Sequence, residues 1–207
     1  MQTIPVKNFD PIRLPLPKDA VLARLGRNRH KAALSVEQTR SIESAMRAAF
    51  ECCNLRGAYA LLPVQILDGD RIRVGDWPVF ASSDVAKRLT HCREVVAMAA
   101  FAGSEVSKQA AMYMADGDGF KALVFDAVGS ESADAAMDFV EQQAARELRR
   151  NSKSILGHRF SPGYQDFPLA CQADFCRFFD LKNWGIRLSA DCIFVPEKTV
   201  TALAGVR

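Results

Sequence analysis

The segment Glu94–Phe101, EVVAMAAF, is apolar at every position after its first, and a strand with that pattern is buried on both faces. A chain that contains it must supply cover on two sides. With 207 residues, 49% of them hydrophobic, this chain can do so, removing roughly two-thirds or more of its unfolded surface from water. Ser35 followed by Gln38 has the pattern of a capping box, and Ile42, Ala45, Met46, Ala49, Phe50 and Cys53 then repeat on one helical face. Ala58–Leu67, the turn residues Asp68-Gly69-Asp70 and the alternating Arg71–Val74 read as a hairpin. Helices are expected at Asp19–Leu25, Ser83–Leu89, Ser104–Met114 and Phe120–Arg150, the last interrupted near Gly129 with Ser130 capping its second half. In that half Met137, Val140, Ala144 and Leu148 form a core face beside an acidic stripe of Asp134, Asp138 and Glu141.

Pro168 suits the first turn of a helix running to about Asp180, with Leu169, Ala173, Cys176 and Phe179 inward and Phe175 and Phe178 widening that face. Gly185–Ser189, Cys192–Val195 and Thr199–Val206 read as strands. Residues 1–18, with Pro5, Pro11, Pro15 and Pro17, describe an N-terminal arm made of an edge strand and a loop. Strands and helices do not alternate strictly. The expected class is therefore α+β, a bent, mainly antiparallel sheet flanked by helices, in one domain over residues 1–207.

Chemistry concentrates in RFSPGY, Arg159–Tyr164. Pro162 fixes its own φ and biases Ser161 toward extended backbone, while Gly163 can take the positive φ of a type II turn. Arg159 carries a planar fork of donors suited to a carboxylate, and Tyr164 a flat face and a hydroxyl. The loop can hold the amino-acid end and the aromatic ring of one ligand. Equally, Arg159 can pair with a surface acid and Tyr164 can pack on the core.

The surrounding motifs add to this. An Arg-x-Ser-Pro-Gly-Tyr turn, Pro168-Leu169 with Gln172, Gly185-Ile186 with Leu188, and Pro196 with Lys198-Thr199-Val200 occur in that order, preceded by Cys92–Val106 and Phe125–Ala136. Over roughly residues 90 to 205 the chain resembles the activation (reactivation) domain of cobalamin-dependent methionine synthase, in its short free-standing form. The resemblance implies an accessory role in reductive reactivation, with S-adenosylmethionine bound here and presented to cob(II)alamin on a partner, a cobalamin-binding methionine synthase or another corrinoid protein. A flavodoxin-like protein is the implied electron donor. By the same resemblance Arg159 binds the methionyl carboxylate, Ser161 offers backbone groups, Tyr164 lines the site and Asp134 receives the ammonium group. Asp134 is one methylene shorter than the family's glutamate, and two further ligand positions of the family, a later aromatic and an early acid, have no counterpart in these residues. The chain lacks the Asp-x-His-x-x-Gly cobalamin signature, so the corrin is expected on another polypeptide. The alternative is a non-catalytic interaction module that keeps the fold and binds only a corrinoid protein.

Other chemistries find little support. The six cysteines form no CxxC pair, and Cys171 and Cys176 lie about 140° apart on a helix, so idle thiols in a reducing compartment are expected. His30, His91 and His158 lack triad or metal spacing, no metal site is expected, and no side chains form a catalytic pair. An independent methyltransferase lacks a glycine-rich cofactor loop. RLGRNRHK, Arg24–Lys31, is a solvated turn or a docking patch for an acidic redox protein, and without interleaved aromatics it does not point to nucleic acid. No apolar run approaches about 18–20 residues and no secretory signal opens the chain, so a cytoplasmic protein is expected, with no membrane contact.

Overall fold

The computed structural model describes residues 4–26 and 35–207. Most of the basic segment, residues 27–31, lies outside the described residues, as do residues 1–3 of the arm. Strand β5 (Glu94–Phe101) is central, as its pattern requires, between β2 (Arg56–Ile66) and β9 (Thr199–Val206). The sheet runs β4 (Phe80–Ala81), β3 (Arg71–Val74), β2, β5, β9, β6 (Ile155–Phe160), with β1 (Ile4–Phe9) also on β2, and every pairing is antiparallel. The sheet is curled, as expected. β1 and β3 share one edge of β2, β1 along Gly57–Leu61 and β3 along Val64–Ile66. Pro63 sits where one gives way to the other, and its missing N–H falls where no ladder bond is needed.

Alternation along the strands builds two cores. Ala58, Ala60, Leu62, Ala97, Ala99 and Leu203 face α3 (Ser83–Leu89) and α6 (Gln172–Phe178), with Trp77, Phe175 and Phe179 among them. Tyr59, Leu61, Val96, Met98, Ala202 and Ala204 face the long α5 (Gly119–Arg150) through Met137, Val140, Ala144 and Leu148. A third cluster joins α5 to α1 (Lys18–Arg24), α2 (Val36–Glu51) and α4 (Glu105–Ala115). The Ser35–Gln38 capping box forms in both directions at the start of α2.

Three expectations are corrected. α5 is continuous through Gly129, and Ser130 accepts a hydrogen bond from Lys198 Nζ (3.0 Å) instead of capping. The glycine serves close packing, because a Cβ there would stand 3.1 Å from Val106 Cγ1 and 3.2 Å from Lys198 Cγ. Pro168 opens a 3₁₀ turn, Leu169–Cys171, before α6, so the inner face is Cys171, Phe175, Cys176 and Phe179, while Leu169 and Ala173 are exposed. Beyond it, strand structure is brief, β7 (Arg187–Leu188) pairing only with β8 (Phe194–Val195). Strands β4 and β6 have no sequence signal that separates them from loops. All six cysteines are free, and no helix among the described residues is long and apolar enough to cross a membrane.

Candidate functional site

A bulge in β6 creates the site. Ile155 and Leu156 pair with Val206 and Gly205, and unbroken pairing would bring Phe160 opposite Thr201. Phe160 instead faces Leu203, because two extra residues are taken up after Gly157, whose φ is +64°. β6 then ends, and the chain turns away at Pro162. Among the described residues no strand pairs with β9 from Thr199 to Ala202 on this side.

A cleft of about 470 Å³ wraps over that bare edge. Its walls are the turn after β6, α3 through Asp84, Val85 and Arg88, the middle of α5 through Asp134, and Gln172 at the start of α6. Thr199 and Thr201 project to the α6 side of the sheet and Val200 to the α5 side, so the cleft reaches both faces. β6 divides likewise, with Arg159 toward α5 and Phe160 toward the opposite core.

The turn is rigid for the reasons its sequence gives. Tyr164 N–H donates to Ser161 C=O (3.3 Å) with Gly163 at φ +89°, the type II geometry, and Gly163 N–H donates to Phe167 C=O (2.8 Å). Asp166 then ties the turn to the opposite wall. Its carboxylate accepts from Ser82 Oγ (2.5 Å), Ser83 N–H (2.7 Å) and Asp84 N–H (3.2 Å), while Ser82 Oγ accepts from Val85 N–H (3.1 Å). All three first-turn donors of α3 are thereby satisfied, and the Ser82 bond leads the effects that hold the Asp166 carboxyl below its usual range.

All four residues singled out from the sequence, Asp134, Arg159, Ser161 and Tyr164, line this one cleft. Tyr164 does not pack on the core; it is 73% exposed. Arg159 does pair with acids. Its Nη1 donates to Asp138 (2.6 Å) and Glu141 (2.8 Å) on α5, and among the described residues its Nε and Nη2 make no hydrogen bond. Burial alone would lower the guanidinium's pKa, and the bonds to Glu141 and Asp138 reverse this. Asp134 stands in mid-helix, not in a first turn, so no helix dipole favours its charge. Burial and the nearby Glu131 push its carboxyl up, opposed by Arg159 and by Arg24, 4.0 Å away.

Among the described residues, two polar atoms of the lining are buried without a partner, Thr201 Oγ1 and Gln172 Oε1. Gln172 belongs to a motif already noted in the sequence. Thr201 carries no such signal, since an alternating Thr in an apolar strand reads as packing. Asp166 and Arg88, which lies 5.8 Å over the Phe160 ring and bonds to Asp84 (2.7 Å), were equally illegible. His158 is exposed and does not line the cleft, and the described residues contain no metal-binding cluster.

No family model and no curated protein matches the chain. Among solved structures, the crystal structure of the MetH reactivation domain bound to AdoHcy is similar, with a TM-score of 0.66 and 16% identity over 98% of this chain and 78% of that one. At that identity the likeness is one of fold. The fold is that of the MetH reactivation domain, as the sequence resemblance implied.

Proposed function

We propose that the cleft holds S-adenosylmethionine and that the chain is an accessory protein for reductive reactivation of a cobalamin-dependent methionine synthase. The observation that carries this reading is the convergence of a carboxylate, Asp134 in the middle of α5, and a guanidinium, Arg159 on the strand that follows it, on one cleft of ligand size. Arg159, through Nε and Nη2, takes the methionyl carboxylate and Asp134 the ammonium group. Ser161 contributes backbone groups, and the exposed Tyr164 ring lies along the adenosyl group. Thr201 and Gln172 offer the ligand hydrogen bonds that the protein leaves unmade. Cobalamin on the partner supplies the redox chemistry, and the residues here supply orientation alone. A cytoplasmic setting, a single activation domain over 1–207 and a flavodoxin-like donor belong to the same reading, and AdoHcy in the similar domain supports an S-adenosyl ligand.

One observation favours a second reading. Arg159 already holds two carboxylates and Asp134 lies near Arg24, as in a module that kept the fold and binds only a corrinoid protein. Isothermal titration with S-adenosylmethionine separates the two. The first reading expects saturable binding, weakened by about tenfold or more in Arg159→Ala. Absence of binding, with a corrinoid methyltransferase present as well, rejects it in favour of the second.

A further inference from the structure

The cleft has two lips, and they are joined by different means at the back and at the front. One lip is the turn that carries Ser161 and Tyr164; the other is the first half of α3, with Asp84, Val85 and Arg88. At the back the contacts are to aromatic rings. Phe167, only 3% exposed, stacks on Phe80 of β4 with ring centroids 5.2 Å apart, and Arg88 lies 5.8 Å over the Phe160 ring. Such faces can slide. At the front, every hydrogen bond that crosses between the lips among the described residues ends on the Asp166 carboxylate, with Ser82 Oγ, Ser83 N–H and Asp84 N–H as its donors. These bonds set both distance and direction. Asp166 itself is exposed and does not line the cleft.

We infer that Asp166 is a positioning residue, which fixes the separation of the two lips and thereby the affinity of the cleft for its ligand without touching that ligand. The inference rests on the proposed S-adenosyl ligand. Exposure separates this role from a part in holding the fold. Water can take up the Ser83 and Asp84 N–H groups once the carboxylate is gone, and Ser82 Oγ still accepts from Val85 N–H, so α3 keeps a cap of its own. Water cannot hold the turn in place. Tyr164 N–H to Ser161 C=O, Gly163 N–H to Phe167 C=O and Phe167 N–H to Tyr164 C=O tie the turn into one body, which is free to pivot on the buried Phe167 when the front fastening is lost. A ligand must then order the turn as it binds, and the ordering appears as weaker binding. Affinity therefore falls much more than stability.

Calorimetry with S-adenosylmethionine on the intact chain compares the parent protein with Asp166→Ala and Asp166→Asn. The dissociation constant should rise about tenfold in the first and about threefold in the second, whose amide keeps one acceptor oxygen and turns its NH2 toward the remaining donors. The melting temperature should fall by no more than about 3 °C, and if Asp166→Ala does not fold, Asp166→Asn carries the test. Ser82→Ala added to Asp166→Ala should weaken binding by less than about twofold further, because both changes remove the same fastening. In the ligand-free variants, amide exchange followed by NMR should quicken about tenfold at Ser83 and Asp84 and stay as it is at Gly163, at Tyr164 and throughout β5. A merely structural Asp166 would quicken exchange in β5 as well. Unchanged affinity, an additive effect of Ser82→Ala, or exchange that rises in β5 as much as in α3 overturns this inference and leaves the proposed function standing. Failure of the parent protein to bind S-adenosylmethionine overturns both.

Discussion

The two long margins of the sheet solve one problem in opposite ways. On the β2 side, β1 and β3 divide the edge between them and meet at Pro63, the one residue of β2 with no N–H to offer. On the β9 side, the bulge at Gly157 moves β6 two residues out of step, and the edge from Thr199 to Ala202 is left without a strand. The polar side chains follow the difference. At the closed margin Tyr59 Oη donates to Glu147 (2.6 Å), and Glu147 also pairs with Lys7 of β1, so the network is complete within the protein. At the open margin Thr201 and Gln172 are left unmatched. At the covered edge the Tyr59–Glu147–Lys7 network is completed by the chain itself; under the proposed function the uncovered edge is completed by a ligand.

The comparison breaks most visibly if α5 is pushed off the closed side. A Cβ at Gly57 would lie 2.3 Å from Val140 Cγ2 and 3.3 Å from the Ala99 carbonyl oxygen, and neither a branched side chain nor a backbone atom can swing away. Gly57→Ala should destabilise the fold by about 1–3 kcal/mol, read from urea denaturation. A change within a few tenths of wild type would mean that α5 is not held at this distance.

The Glu147 network sharpens the comparison through pH. Hydrogen bonds from Lys7 and Tyr59 hold the Glu147 carboxyl below the ordinary glutamate value of 4.5. A depressed folded value means the contribution is complete above that ordinary value and is lost as pH falls through the lower, folded one. Glu147→Gln should therefore cost about 1 kcal/mol near neutral pH, and the difference from wild type should fade toward about pH 3. Urea midpoints at the two conditions decide it, and a difference independent of pH would show that the carboxylate's charge contributes nothing to holding β1.

Legibility divides along the same line. Glu94–Phe101 and Thr199–Val206 were placed to the residue because an apolar run fixes its own burial. The type II turn followed from Pro162 and Gly163, whose backbone limits are local. Ser130 misled because a serine after a glycine has the composition of a helix start, and the true reason for Gly129, the approach of Val106 and Lys198, lies in contacts remote in sequence. β6 was hidden by its bulge, since Gly157 and the exposed His158 break any alternation. In the cleft, Asp134 and Arg159 came through motif resemblance. Asp166 did not, because an acid three residues after a turn glycine looks like solvent-facing loop until α3 is brought beside it.

Thr201 gives the smallest effect and the one whose sign separates the two margins. A buried hydroxyl without a partner lowers stability, and valine has nearly its shape without its polarity. Thr201→Val should therefore raise stability by about 0.5 kcal/mol, the opposite direction from a polar deletion at the closed margin such as Tyr59→Phe. The same variant should bind S-adenosylmethionine about three- to tenfold more weakly, since the ligand loses the hydroxyl that the fold left free. Urea denaturation and calorimetry on one preparation measure both. A loss of stability would mean that Thr201 Oγ1 already has a partner and that the open margin is as complete as the closed one.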